Sequence, residues 1–134
     1  MHERPTGEAL LSVARKLLLE ELMPLLPSER RYDTLMIANA MGIAARQIAL
    51  GPDVERQERR DLEVLLGNTD TGDRPDGDSN DLVAHYRLLC TRIRGGEFDP
   101  GTPNGAALCK FLREVTVQKL RASAPKILDA AGVE

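Results

Sequence analysis

The apolar positions of this chain recur every three or four residues, which is the spacing of amphipathic helices. The clearest stretch runs from Tyr32 to Leu50 and reads YDTLMIANAMGIAARQIAL. It contains no proline, and apolar residues cover nearly its whole circumference. A helix that is apolar all round is typical of the inside of a bundle. The pattern therefore predicts a buried central helix, in which Ala40 and Ala44 share a face crossed by another helix.

The other periodic segments also have helical spacing, and none alternates as a strand would. The first helix is predicted from about Thr6, its N-cap, to Met23, before Pro24. Thr102 is the expected N-cap of a helix that opens at Pro103. Together the segments predict an all-α, up-and-down bundle of five to six helices in a single domain of residues 1–134. The remaining helices are placed at about Pro52–Leu66, Ser79–Arg94 and Pro125–Ala131.

Composition narrows the function classes. The chain has 42% hydrophobic and 29% charged residues and a net charge of -3, so nothing attracts it in bulk to nucleic acid or anionic lipid. No apolar run reaches the roughly 20 residues that a membrane span needs, and the polar N-terminus is not a signal peptide. The two cysteines form no CxxC motif, which indicates a reducing compartment. We therefore expect a cytoplasmic protein with no nucleic-acid or membrane partner.

Two loops contain residue types that occur in known ligand-binding motifs. The segment Gly67 to Asn80, GNTDTGDRPDGDSN, is acidic, but neither of its glycine registers places oxygen donors where an EF-hand needs them. We predict a mobile surface loop without a metal. The segment Gly101 to Lys110, GTPNGAALCK, lacks the GxxxxGK[ST] pattern of a phosphate loop, so a capped turn is the favoured interpretation.

No catalytic constellation is evident. His2 lies near the terminus, and His85 has no second histidine at ligand spacing. Cys90 and Cys109 fall on or beside apolar stripes, which favours small core residues over nucleophiles. There is no GxSxG motif. The sequence thus predicts a protein that is not an enzyme and needs no cofactor.

Four polar residues remain as candidate ligand or partner contacts: Asn39, Arg46, Arg92 and Arg94. Asn39 lies in the middle of the predicted central helix, where a buried amide must find hydrogen-bond partners. We favour a structural role in fixing helix register, and ligand contact is the alternative. The three arginines would bind a carboxylate or phosphate if they converged. Ordinary ion pairing with the many acidic residues is the favoured interpretation.

Several segments together resemble a known family. They are RPTGEALL near the N-terminus, MIANAMGIAAR in the central helix, LCTRIRGGEFDP after the fourth helix, and KLRASAP with KIL near the C-terminus. In this order they look like an uncharacterised bacterial all-helical domain family, found beside or fused to aminoglycoside-phosphotransferase-like proteins and near acyl-CoA dehydrogenases. The chain departs from that pattern at Gln47, often a glutamate, and at Ala124, often an asparagine. The family has no established catalytic residues to carry over.

The resemblance implies an accessory role beside a kinase-like enzyme that acts on a small hydroxylated or acyl-CoA-linked metabolite. We therefore predict a non-enzymatic accessory or interaction domain. Its partner would be a phosphotransferase-like or acyl-CoA dehydrogenase-like protein, with homo-oligomerisation also possible. The alternative is a helical bundle that binds an anionic or acyl metabolite. A large exposed apolar patch would favour the first function, and a cavity with convergent polar groups the second.

Overall fold

The computed structural model describes residues 5–67 and 79–133, and the all-α prediction is confirmed within them. These residues form six α-helices joined by turns, and none of them lies in a strand. Most of the predicted acidic loop falls in residues 68–78, outside the described residues, as does His2. The predictions for that loop and for His2 therefore stay predictions. The helices are α1 Gly7–Leu17, α2 Arg31–Leu50, α3 Asp53–Leu65, α4 Ser79–Arg94, α5 Pro103–Ser123 and α6 Pro125–Ala131.

The helix ends lie close to the residues that local chemistry predicts. The Thr6 hydroxyl accepts a hydrogen bond from the amide of Ala9 at 3.3 Å, and the Thr102 hydroxyl accepts one from Gly105 at 2.9 Å. Both are N-caps that satisfy an otherwise unpaired amide. After α2 the backbone turns at Gly51 with a φ of 68°. Only glycine adopts such a left-handed conformation without steric cost, so the helix ends there.

The first helix changes its winding before it ends. Leu18–Leu22 form a π-helical turn, and Met23–Leu25 form a 3₁₀ turn. The amide of Met23 reaches back five residues to the carbonyl of Leu18. Pro24 has no amide hydrogen, and its ring would clash with the carbonyl four residues earlier, so regular α geometry cannot continue through it. The predicted end at Met23 is therefore not where α1 ends: the α-helix stops at Leu17, and turns of other winding continue to Leu25.

The chain divides into two compact units. Unit 1 comprises the described parts of Met1–Gly51 and Lys119–Glu134, and unit 2 comprises those of Pro52–Gln118. The long helix α5 begins in unit 2, and its last residues belong to unit 1. The single domain expected from the sequence stays a prediction.

Unit 1 is organised around a helical hairpin. Gly7 at the start of α1 lies beside Ile48 near the end of α2, because a Cβ at position 7 would stand 3.5 Å from the Ile48 side chain. Arg15, near the end of α1, donates a hydrogen bond to the carbonyl of Ala38 in the middle of α2. These two contacts show that α1 and α2 run antiparallel.

The large apolar side chains form their core in unit 2. Leu62 of α3 is completely buried, and the ring centroids of Tyr86 and Phe111 lie 6.3 Å apart at an angle of 41°. This tilted arrangement is one of the favourable geometries of aromatic pairs. The core is formed by α3, α4, α5 and the turn before α5, and its buried members are Leu62, Leu66, Leu89, Phe98, Leu108 and Phe111.

The prediction of a buried helix α2 is wrong in its details. Only four of its residues are buried, and all are small: Thr34, Ala38, Gly42 and Ala45. They form one line along the helix, which brings α1 close. Ala40 is exposed and Ala44 is half-buried, so the close crossing predicted at those positions lies elsewhere on the helix. Asn39 is exposed too, and its predicted buried amide network is therefore wrong.

Candidate functional site

One side of the hairpin carries an exposed apolar surface. On α1, Leu10, Val13 and Leu17 follow one another at spacings of three and four. On α2, Ile37 and Ile48 are exposed, and the half-buried Met41 and Ala44 lie between them at spacings of four, three and four. Apolar residues at this spacing form a line on the helix surface, and helices pack against one another along such lines. Exposed fractions range from 68% for Val13 to 48% for Leu17. We call the five exposed side chains the hairpin face: Leu10, Val13, Leu17, Ile37 and Ile48.

The helical period places these residues on one side of the pair. On α1, the half-buried residues Leu11, Ala14 and Leu18 turn towards α2, and the hairpin-face residues each come one position earlier. On α2, Ile37 likewise precedes the buried Ala38. One residue corresponds to about 100° of rotation. Each hairpin-face residue that comes one position before a contact residue is therefore rotated by about 100° from the contact between the helices. Because the helices are antiparallel, this rotation turns the side chains of both helices to the same side of the hairpin.

The opposite side of the hairpin carries two arginines. Arg15 follows Ala14 and Arg46 follows Ala45, so each comes one position after the line of contact. The Nε–H of Arg15 donates to the carbonyl of Ala38 at 2.9 Å, and that of Arg46 donates to the carbonyl of Ala122 at 2.6 Å. Each arginine side chain is therefore fixed by a hydrogen bond at its Nε atom.

The two guanidinium groups meet over Gly42. A Cβ at position 42 would stand 3.3 Å from Arg15 Nε and 3.3 Å from Arg46 Nη1. Within the described ranges, neither arginine has an acidic side chain within ion-pair distance. Like charges at such close quarters repel each other, on the order of 1 kcal/mol in water and several kcal/mol near a protein surface. The pair therefore favours an anion that would bind between the two groups.

The other predicted site residues have different surroundings. Asn39 follows Ala38 by one position, so it lies on the arginine side of α2. Arg92 donates to the carbonyl of Leu66 at 2.8 Å and lies 3.6 Å from Glu97, which fits the favoured ion-pair interpretation. Arg94 lines a shallow surface depression on α4. Arg92 and Arg94 belong to unit 2 and Arg46 belongs to unit 1, so the alternative interpretation, in which the three arginines converge on one anion, stays a hypothesis.

Unit 2 contains an acidic groove between α3 and α5, with a volume of about 600 Å³. Its side chains largely satisfy one another: the Gln57 amide donates to Asp61 at 2.7 Å, and the hydroxyl of Tyr86 donates to Glu58. Burial raises the pKa of Tyr86, and the hydrogen bond and negative charge of Glu58 raise that pKa further. The groove does not suit an anionic ligand, since four acids and one arginine line it: Asp53, Glu58, Asp61, Glu114 and Arg60.

The remaining candidates do not assemble into a reactive centre. Cys90 and Cys109 are both exposed, so their predicted place in the core is wrong. His85 is half-buried, and its Nδ1 has no hydrogen-bond partner among the described residues. Within residues 5–67 and 79–133, no three His, Cys, Asp or Glu side chains are grouped closely enough to hold a metal ion. No described helix has the length and apolar content that crossing a membrane requires.

Comparison with known proteins places the chain in a family. Residues 24–127 match the family described as Domain of unknown function (DUF6285), and the chain belongs to it. A search of curated proteins and a search of solved structures each find no match to the chain. The matched segment includes all of α2 with Arg46, Ile37 and Ile48, whereas α1 with Arg15 precedes it.

Proposed function

We propose that this member of the DUF6285 family is a non-enzymatic interaction domain that binds a protein partner through the hairpin face. The observation that supports this proposal is the exposure of five large apolar side chains on one side of two adjoining helices. Exposed apolar side chains that are grouped on one surface are typical of interaction sites. The resemblance in the sequence adds the class of partner: a phosphotransferase-like or acyl-CoA dehydrogenase-like protein of the cytoplasm.

The available burial energy indicates a reversible interaction. Burying one such side chain completely is worth about 1.5–3 kcal/mol. The five side chains are each about half exposed, so covering the rest of them would contribute roughly 4–8 kcal/mol. Association costs about 4–15 kcal/mol in lost translational and rotational freedom. A partner must therefore add polar contacts around the hairpin face, and we expect exchange rather than permanent assembly.

The charges beside the hairpin face favour a protein over a lipid surface. Lys16 on α1 lies 3.9 Å from Glu20, and Asp33 on α2 lies 3.4 Å from Arg30. Helices that bind anionic membranes carry an excess of Lys and Arg beside their apolar face. Here both signs occur and pair with each other. This mixed polar rim resembles that of protein–protein interfaces.

The test measures binding of a phosphotransferase-like protein from the same organism by isothermal titration calorimetry. Leu17→Lys places a charge within the hairpin face and keeps a good helix former. Leu112→Lys is the matched control, because Leu112 lies in α5 and is 44% exposed, against 48% for Leu17. We expect Leu17→Lys to weaken binding at least tenfold and Leu112→Lys to change it less than twofold.

Three outcomes would contradict the proposal or redirect it. If the two variants bind equally well, the hairpin face is not the docking surface. If the acyl-CoA dehydrogenase-like protein binds with this pattern instead, the partner class changes but the surface stands. If light scattering shows that the protein alone dimerises and that Leu17→Lys dissociates the dimer, then the hairpin face is a contact between two copies.

A further inference from the structure

We propose that Arg15 and Arg46 form a binding site for the phosphate group of a small phosphorylated metabolite. This inference is independent of the docking proposal, because the arginines lie on the side of the hairpin opposite the hairpin face. The proposed site adds Arg15 to the candidate residues that the sequence provided. Of the three arginines named there, it includes only Arg46. The site lies entirely in unit 1.

The first argument is the preorganisation of the two guanidinium groups. Each one spends its Nε–H on a backbone carbonyl, of Ala38 for Arg15 and of Ala122 for Arg46. A guanidinium group has five N–H donors, so four remain on each residue. The Nε bonds fix the side chains, which lowers the entropy lost when the outer N–H groups bind a ligand. A planar fork with fixed orientation is well suited to bidentate binding of phosphate oxygens.

The second argument is the access that Gly42 provides. The two arginine nitrogens approach the α2 backbone where residue 42 has no side chain, and a Cβ there would stand only 3.3 Å from each of them. A side chain at position 42 would therefore crowd both guanidinium groups, and each would have to shift by a few tenths of an ångström. Arg15 is exposed and Arg46 is half-buried, so neither residue is closed off from a ligand in solvent.

The third argument is charge. The site holds two positive charges, and no described acidic side chain pairs with either of them. A phosphate monoester carries a charge of about −1.5 to −2 at neutral pH, whereas a carboxylate carries only one negative charge. The dianion therefore matches the pair better. Asn39 lies on the same side of α2, two turns before Arg46, where its amide is positioned to contact the rest of a metabolite larger than phosphate.

The experiment follows the arginine Nε–H resonances of the wild-type protein by NMR during titration with inorganic phosphate. The pH is slightly alkaline, so that the dianion predominates, and sodium chloride keeps the ionic strength constant. We expect the resonances of Arg15 and Arg46 to shift together and to saturate, and acetate to bind at least tenfold more weakly than phosphate. The proposal would be overturned if phosphate causes no shifts. It would also be overturned if the shifts grow without saturation and sodium chloride alone produces the same shifts.

Variants assign the effect to the pair. Arg15→Gln and Arg46→Gln should each weaken phosphate binding at least tenfold. Arg31→Gln is the control, since Arg31 is an exposed arginine at the start of the same helix. It should change the affinity less than twofold, and an equal loss in all three variants would show that only net charge matters.

A further substitution separates charge from geometry. Arg46→Lys keeps the charge but lacks both the planar fork and the Nε bond to Ala122, so its affinity should fall between those of wild type and Arg46→Gln. The amide spectrum of each variant reports whether it folds. If Arg46 variants unfold because the bond to Ala122 is lost, the wild-type titration and Arg15→Gln still decide the question.

Discussion

Replacing Ala38 by leucine tests the hairpin contact on which both proposed surfaces depend. Ala38 is 2% exposed and lies in the line of small residues that faces α1, and its carbonyl accepts the bond from Arg15. Leucine adds three carbon atoms to a contact with no room for them. Overpacking of this kind costs about 1–3 kcal/mol. Ala40→Leu is the matched control, because Ala40 is exposed two residues further along the same helix.

Urea unfolding followed by far-UV circular dichroism gives the free energy of unfolding of each variant. Hydrogen exchange of the α2 amides then assigns any loss to unit 1, which matters because unit 2 has its own core. We expect Ala38→Leu to lose about 1–3 kcal/mol and Ala40→Leu to stay within about 0.5 kcal/mol of wild type. If Ala40→Leu loses as much as Ala38→Leu, then α1 does not pack along the line described here.

Two further predictions concern polar groups. Asn39→Leu should leave the free energy of unfolding within about 0.5 kcal/mol of wild type, because the side chain is exposed; a loss above 1 kcal/mol in urea unfolding would show that its amide is structurally engaged after all. Tyr86→Phe should cost about 1 kcal/mol at neutral pH, because it removes the hydrogen bond to Glu58. The raised pKa of Tyr86 means that this stability is fully present below the ordinary value of 10.0 and is lost at higher pH, so the two proteins should converge in unfolding experiments at strongly alkaline pH.

The helices and their ends could be predicted because they depend on neighbouring residues. Thr6 and Thr102 cap helices through amides three residues away, and Gly51 ends α2 through its own backbone conformation. Such interactions are visible in any short window of sequence. The all-α architecture followed from the spacing of the apolar positions, which is also a local property of the sequence. The π-helical turn before Pro24 could not be foreseen, since a proline predicts an interruption but not how the preceding turn adapts.

The burial of α2 could not be predicted, because its pattern is compatible with more than one orientation. Apolar residues cover almost all of its circumference, so periodicity does not say which line faces a partner. The structure selects the smallest residues, Ala38, Gly42 and Ala45, since they permit the closest approach to α1. Asn39 was expected to be buried because it lies in the middle of the helix. Position along a helix says nothing about the side of the helix on which a residue lies.

The arginine pair was found only in part, because its members come from different helices. Arg46 stood out in the sequence as a charge within an apolar helix. Arg15 looked like an ordinary charged residue in the middle of the helix that was predicted from Thr6 to Met23. The available signal was that each arginine follows a small residue of its helix, Ala14 or Ala45. That signal acquires meaning only when the antiparallel hairpin brings the two helices together.

The small residues of α2 explain both proposed surfaces at once. Because α1 approaches α2 over small residues such as Ala38 and Gly42, the contact between the helices is narrow, and it covers only about half of each large apolar side chain beside it. These side chains form the hairpin face. On the other side, the same close approach lets Arg15 reach the carbonyl of Ala38, and the missing side chain at Gly42 lets Arg46 approach it. The close approach of the two helices thus leaves both sides of the hairpin accessible. The apolar side is available for docking, and the cationic side is available for anion binding.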